Sequence, residues 1–156
     1  MATGGWHNPN VKIWNAETGA EEKEPPTTVC PNVAFSPDGR WLVTGTGFEF
    51  RFWRCGDWPP IRTIPRAHAD DLPSPMAFSR DGKLLAPAPS RNLIQLVSPE
   101  TGATLAQIEP LPEAEIMALA FSPDASELVV TRVGYPPQVW HLRRIRQQLA
   151  ALKLDW

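Results

Sequence analysis

Ala34-Phe35-Ser36-Pro37-Asp38-Gly39 recurs as Ala77-Phe78-Ser79-Arg80-Asp81-Gly82 and again as Ala120-Phe121-Ser122-Pro123-Asp124-Ala125, each step being 43 residues. Chance seldom gives three six-residue near-copies at one fixed step, so the chain is read as an internal repeat. Each copy lies between two apolar runs, as in Val33-Ala34-Phe35 and Trp41-Leu42-Val43. Proline pre-sets φ at one turn position and Asp-Gly suits the next, so the element predicts a hairpin turn joining two strands.

A second motif keeps phase with the first. Val11-Lys12-Ile13-Trp14, Phe50-Arg51-Phe52-Trp53, Ile94-Gln95-Leu96-Val97 and Pro137-Gln138-Val139-Trp140 align, with steps of 39, 44 and 43 residues. The second position is polar in every copy, and the first and third are apolar or proline. Period-2 alternation predicts a strand with one buried face, most plainly in Phe48-Glu49-Phe50-Arg51-Phe52. Glu17-Thr18-Gly19 and Glu100-Thr101-Gly102 follow two of the copies. Each is a turn closed by glycine, where positive φ is cheap. One period therefore reads as strand, Asp-Gly turn, strand, short loop, strand, turn and a poorer outer strand. Four antiparallel strands in about 43 residues make one blade of a β-propeller.

The composition agrees. Proline and glycine together number 28 of 156 residues, about 18% against an average near 12%, which leaves room only for short elements. Hydrophobic residues at 42% and charged residues at 21% describe a globular chain, and no apolar run approaches the ~20 residues of a membrane span. The N-terminus lacks the basic start and apolar stretch of a secretory signal. A net charge of −2 argues against a generic nucleic-acid or membrane-surface binder. Two cysteines, Cys30 and Cys55, are too few for a disulfide framework and are read as free thiols.

By the Phe-Ser-Pro-Asp-Gly turn, the Trp that ends the third strand, and Ala67-His68 where the family usually has Gly-His, the chain resembles the WD-repeat β-propellers over roughly residues 2–140. TolB-like and other bacterial propellers share the turn but not the regular Trp, and rank second. The resemblance implies a hydrogen-bonded set in each good blade: a His before the first strand, a Ser or Thr on the second, an Asp in the following loop, and the Trp. Here the Asp position holds Asn8, Gly47, Arg91 and Gly134, and the blade that has His68 carries Val97 in place of Trp. Thr44 and Thr131 are candidates for the hydroxyl. No blade has the full set, so the propeller is degenerate and apolar packing must carry most of its stability.

The expected fold is all-β: a partial propeller of about three to four four-stranded antiparallel blades with a C-terminal amphipathic helix. The expected divisions are a partial blade at 1–31, blades at 32–74 and 75–115, a partial blade at 116–140, and a helix at 141–156. In the first blade the third strand is Val11–Trp14 and the outer strand is placed near Glu24–Val29. Because 156 residues over a 43-residue period give about 3.6 blades and the smallest usual propellers have four, something must complete the ring. Either a parent protein supplies further blades, or two copies make a homodimeric ring of about seven, with the former preferred. In the tail, Leu142, Ile145, Leu149, Leu152 and Trp156 share one helical face, with Arg143, Arg144 and Arg146 among the residues covering the rest. Such a helix must dock, either to cap the last blade or to meet a partner. The end of the propeller followed by this helix resembles the C-terminal end of propellers in bacterial multidomain WD-repeat proteins, in which a kinase domain often precedes the propeller.

No catalytic motif appears, and no catalytic, metal or cofactor residue is assigned. His68-Ala69-Asp70-Asp71 is the one tight His/Asp cluster, but it lacks regular ligand spacing and reads as a solvated loop. Glu21, Glu22 and Glu24 read as a solvated turn or edge strand. The remaining functional surface is the loop rim, where aromatic and arginine side chains make the best hot spots. The rim offers Trp6, Phe48, Arg66, His68, Arg91 and Tyr135, each weighed against a role in packing. Trp58, beside Pro59-Pro60, could serve a side face instead. By family analogy the function expected is a non-catalytic, cytoplasmic protein-interaction or scaffolding module that binds a protein through the loop rim or open blade edges, with no nucleic acid and no membrane among its partners. The second expectation is a fragment of a larger bacterial signalling protein whose activity lies on absent sequence.

Overall fold

The structure is a computed structural model that describes residues 1–4, 11–25, 27, 32–56, 58–67, 75–151 and 153. It holds four antiparallel sheets of three or four strands and one short helix, in two compact units, residues 1–74 and 75–156. Among the described residues the four sheets share no ladder, so each is a separate blade-like layer.

In the first unit, β1 (Ala2–Thr3), β2 (Lys12–Trp14) and β3 (Glu21–Lys23) form one sheet. β4 (Asn32–Phe35), β5 (Trp41–Gly45), β6 (Glu49–Arg54) and β7 (Pro60–Pro65) form the next, in chain order. Phe50 and Phe52 alternate with Arg51 along β6 and are at most 1% exposed. Fully burying an aromatic or aliphatic side chain of this size contributes about 1.5–3 kcal/mol. Trp53 points the other way into a cluster with Val11, Ile13 and Leu42, so β6 is covered on both faces. Trp58 takes φ 59° and is half-buried against this same cluster.

Two features of the first sheet differ from the expectation. Its outer strand is Glu21–Lys23, earlier in the chain than Glu24–Val29, of which residues 26, 28 and 29 lie outside the described set. The cause is the turn before it. Asn15 Oδ1 accepts from the amides of Glu17 and Thr18 at 2.9 Å, and its carbonyl accepts from Gly19, so the chain reverses tightly and pairing resumes at Glu21. Pro25 then interrupts, because proline brings no N–H to a ladder. The sheet also gains β1, only two residues long and too short to show a period.

In the second unit, β8 (Met76–Phe78), β9 (Leu85–Pro87), β10 (Ile94–Val97) and β11 (Thr104–Ile108) make a four-stranded sheet. β12 (Ile116–Phe121), β13 (Glu127–Arg132) and β14 (Tyr135–His141) make a three-stranded one. A core of Ala86, Ala88, Ile94, Leu96, Ile108, Ile116, Leu128 and Val130 joins these two sheets. The helix α1 (Leu142–Ala151) starts directly after β14 and buries Leu142 in that core, with Ile145 packed against it. At ten residues it is too short to persist alone in water, and this docking holds it. Leu152 and Trp156, expected on the same helical face, lie outside the described residues. No helix among the described residues is long and apolar enough to cross a membrane.

Candidate functional site

The repeated turn is built three times from the same side chains. Ser36 Oγ donates to Asp38 Oδ1 at 2.5 Å and accepts from the Trp41 amide at 2.9 Å, while Asp38 Oδ1 accepts from the Arg40 amide. Ser79 and Asp81 repeat this with the amides of Leu84 and Lys83, and Ser122 and Asp124 with those of Glu127 and Ser126. The serine hydroxyl and the Arg40 side chain and amide hold the Asp38 carboxyl at about 2. Bonds from Ser122 and Ser126 hold Asp124 at about 2, and Asp81 is lowered chiefly by Ser79. In each copy one carboxylate oxygen accepts both the serine hydroxyl and a turn amide, which gives the aspartate a structural part in its own turn. The third turn position needs positive φ. Gly39 and Gly82 supply it at 71° and 69°, but the third copy places Ala125 there at 55°.

The tryptophans that close the third strands sort by their hydroxyl partners. Trp53 Nε1 donates to Thr44 Oγ1 at 3.0 Å in a fully buried contact. Trp14 Nε1 donates to Thr3 Oγ1 at 2.8 Å. Thr3 was missed in the sequence because its strand has only two residues. Thr131 does not play this part for Trp140. In the ladders, Trp53 faces Leu42 and Trp140 faces Leu128, so the position matching Thr44, two residues along the strand, is Val130. Thr131 is one residue out of phase and lies on the opposite face, where its hydroxyl approaches the Ala118 carbonyl at 3.4 Å. Trp140 Nε1 is buried and has no hydrogen-bond partner among the described residues.

Of the six rim candidates, the structure brings two together. The Arg66 amide donates to the Phe48 carbonyl at 2.8 Å, and its Nη1 donates to the Thr46 carbonyl at 3.2 Å. Phe48 itself is 50% exposed at the turn between β5 and β6. Arg91 is exposed on the turn before β10, where its carbonyl accepts from the Ile116 amide. Tyr135 is the first residue of β14, not a loop residue as expected, because Val133-Gly134 make the whole connection from β13. It remains 43% exposed, with the buried Arg132 guanidinium 5.0 Å from its ring centroid. Trp6 and His68 lie outside the described residues, as do Asn8, Cys30 and the His68–Asp71 cluster.

A concavity of about 720 Å³ lies in the second unit. Leu84, Leu105, Leu142 and Ala150 give it an apolar floor, and Asp124 and Arg143, 3.5 Å apart, lie on its wall. Among the described residues no three His, Cys, Asp or Glu side chains converge as a metal site. Cys55 is a half-buried free thiol whose pKa is raised, chiefly by burial. The Glu21–Glu22 run is an exposed edge strand, with Lys12 paired to Glu21 at 2.7 Å.

A family model for the WD domain, G-beta repeat matches residues 26–54, which take in β4, β5 and β6 with the Ser36–Asp38 turn and the Thr44–Trp53 pair. No curated protein matches the chain.

Proposed function

We propose, from the WD repeat matched at 26–54 and the antiparallel blade-like sheets, that this WD-repeat-like chain is a non-catalytic module that binds a protein partner. WD-repeat domains generally serve protein interaction, and the observation that carries the reading is the repeat matched at 26–54 together with its exposed turn. There the Arg66 amide bonds the Phe48 carbonyl and the Arg66 guanidinium bonds the Thr46 carbonyl, which ties down the backbone that carries the half-exposed Phe48. Aromatic residues and arginine are both enriched at protein interfaces. In the second unit Tyr135, over Arg132, and Arg91 extend the same chemistry. Trp6 and His68 are retained as rim residues on sequence grounds, and the module acts as a scaffold in the cytoplasm.

The test is quantitative affinity capture with the full chain and with F48A/R66A and Y135A variants whose melting curves match the parent. A partner retained by the parent and lost from one of these variants supports the reading. Equal recovery by all three proteins refutes the rim assignment. A second reading, a piece of a larger signalling protein, is favoured by the three strands described in the last sheet, where the two middle sheets have four. Absolute mass in solution separates it from a two-copy ring, for which the mass is twice 17.3 kDa.

A further inference from the structure

Among the described residues no strand pairs with the outer edge of β14, whereas β6 and β10, its counterparts, are each covered by a fourth strand. The direction of that edge follows from the ladder. Ser122 and Glu127 are a hydrogen-bonded pair, so Val129 also bonds toward β12, and Val139, opposite Val129, turns its N–H and C=O away from the sheet. Pro137 presents only a carbonyl there. Beside the edge runs a groove of about 410 Å³ lined by Glu109, Leu111, Gln138, Val139 and Trp140. Leu111 is 76% and Val139 49% exposed, and Gln138 Oε1 and Trp140 Nε1 are buried without hydrogen-bond partners among the described residues.

The chain carries its own templates for what fits. Opposite the position of Val139 the outer strands place Lys23, Arg62 and Ala106. Opposite that of Gln138 they place Thr63 and Gln107, and opposite that of Pro137 they place Ile64 and Ile108. All three ladders shift register by one residue at the same point, just before the Trp or Val that ends the third strand.

We propose that the β14 edge is a strand-acceptor site that takes, by antiparallel addition, an extended protein segment reading Lys/Arg/Ala, then Thr or Gln, then Ile. The backbone of Val139 supplies the pairing, and the isoleucine covers apolar surface at Pro137. The hydroxyl or amide opposite Gln138 donates to its bare Oε1. This deepens the protein-binding reading and rests on it.

The probe is a fluorescent, end-capped peptide with the sequence of Gly102–Glu109, titrated into the full chain by anisotropy. Saturable binding is expected, weakened about tenfold in V139P, which removes one outward backbone hydrogen bond and none within the sheet. V139T keeps the N–H and retains more of the binding than V139P does. Replacing the peptide's isoleucine with aspartate abolishes binding. No saturation up to about 1 mM, a level corresponding to only about 4 kcal/mol of binding, overturns the proposal, as does equal binding by V139P. A dimer of the chain that V139P dissolves also overturns it, by making a second copy the occupant. None of these results touches the capture test at Phe48 and Arg66, so failure of the edge and failure of the rim are read separately.

Discussion

Replacing Thr44 with valine keeps the shape of the side chain and removes only the oxygen that receives Trp53 Nε1. Thr44 is fully buried and Trp53 is 2% exposed, so water cannot replace the lost acceptor. An unsatisfied buried donor costs about 1–3 kcal/mol, and the methyl gained in place of the hydroxyl offsets part of that. The net expectation is a loss of about 1–2 kcal/mol, which in a chain of this size lowers the melting temperature by about 2–8 °C. The assay is thermal denaturation followed by circular dichroism, repeated in a W53F background where the bond is already gone. There T44V should cost little, and the coupling energy should be about 1 kcal/mol. The Trp53 indole proton should also move upfield in a ¹H–¹⁵N spectrum of T44V. An unchanged melt, or an equal cost of T44V with and without Trp53, would refute the assignment of this bond as a stabilising contact. V130T makes the converse change by placing a hydroxyl two residues from the partner of Trp140. It should be neutral to stabilising by up to about 1 kcal/mol, because the new bond is set against lost apolar burial.

A125G should stabilise the third turn by about 0.5–1 kcal/mol, since left-handed backbone costs an alanine about 1–2 kcal/mol and glycine's freedom in the unfolded chain returns part of it. G39A should do the reverse, and as a Cβ at Gly39 meets no atom within 4 Å, its cost is purely conformational; urea midpoints of the two variants moving in the same direction would sink this account. Asp38 and Asp124 are held at about 2 against an ordinary 3.8, so their contribution to stability is full above pH 3.8 and is lost as pH falls through about 2. Urea midpoints measured from pH 5 to pH 2 should fall along that window, and a D38N/D81N/D124N variant should show a shallower fall from a lower start. Cys55 should react slowly with iodoacetamide at pH 8, because burial raises its pKa and depletes the thiolate; a rate equal to that of free cysteine would contradict its placement.

The limits of the sequence reading are clearest at the tryptophans. A serine and an aspartate two residues apart make the same turn wherever they fall, so the three Ser-x-Asp elements could be read from a single line of sequence and were found in all three places. The alternation in Phe48–Phe52 likewise needs only neighbouring residues, and β6 follows it. The hydroxyl partner of a tryptophan is another matter. It lies across a ladder, and only the pairing register says which of two adjacent residues shares the indole's face. Thr131 was one residue off for that reason, and Val130 stands in the place of Thr44.

The sequence by itself determined the repeat, the strand order within each period, the turn chemistry and the docked helix, because each depends on spacing along one stretch of chain. Tertiary structure decided the rest. It drew Arg66 to Phe48 across eighteen residues of chain, set Tyr135 on a strand, and placed Thr3 under Trp14. Among the described residues it also left the edge of β14 unpaired, beside a groove lined by Gln138 and Trp140. Those outcomes depend on which strand lies beside which, and that is settled by burial and ladder pairing between segments that local periodicity does not connect.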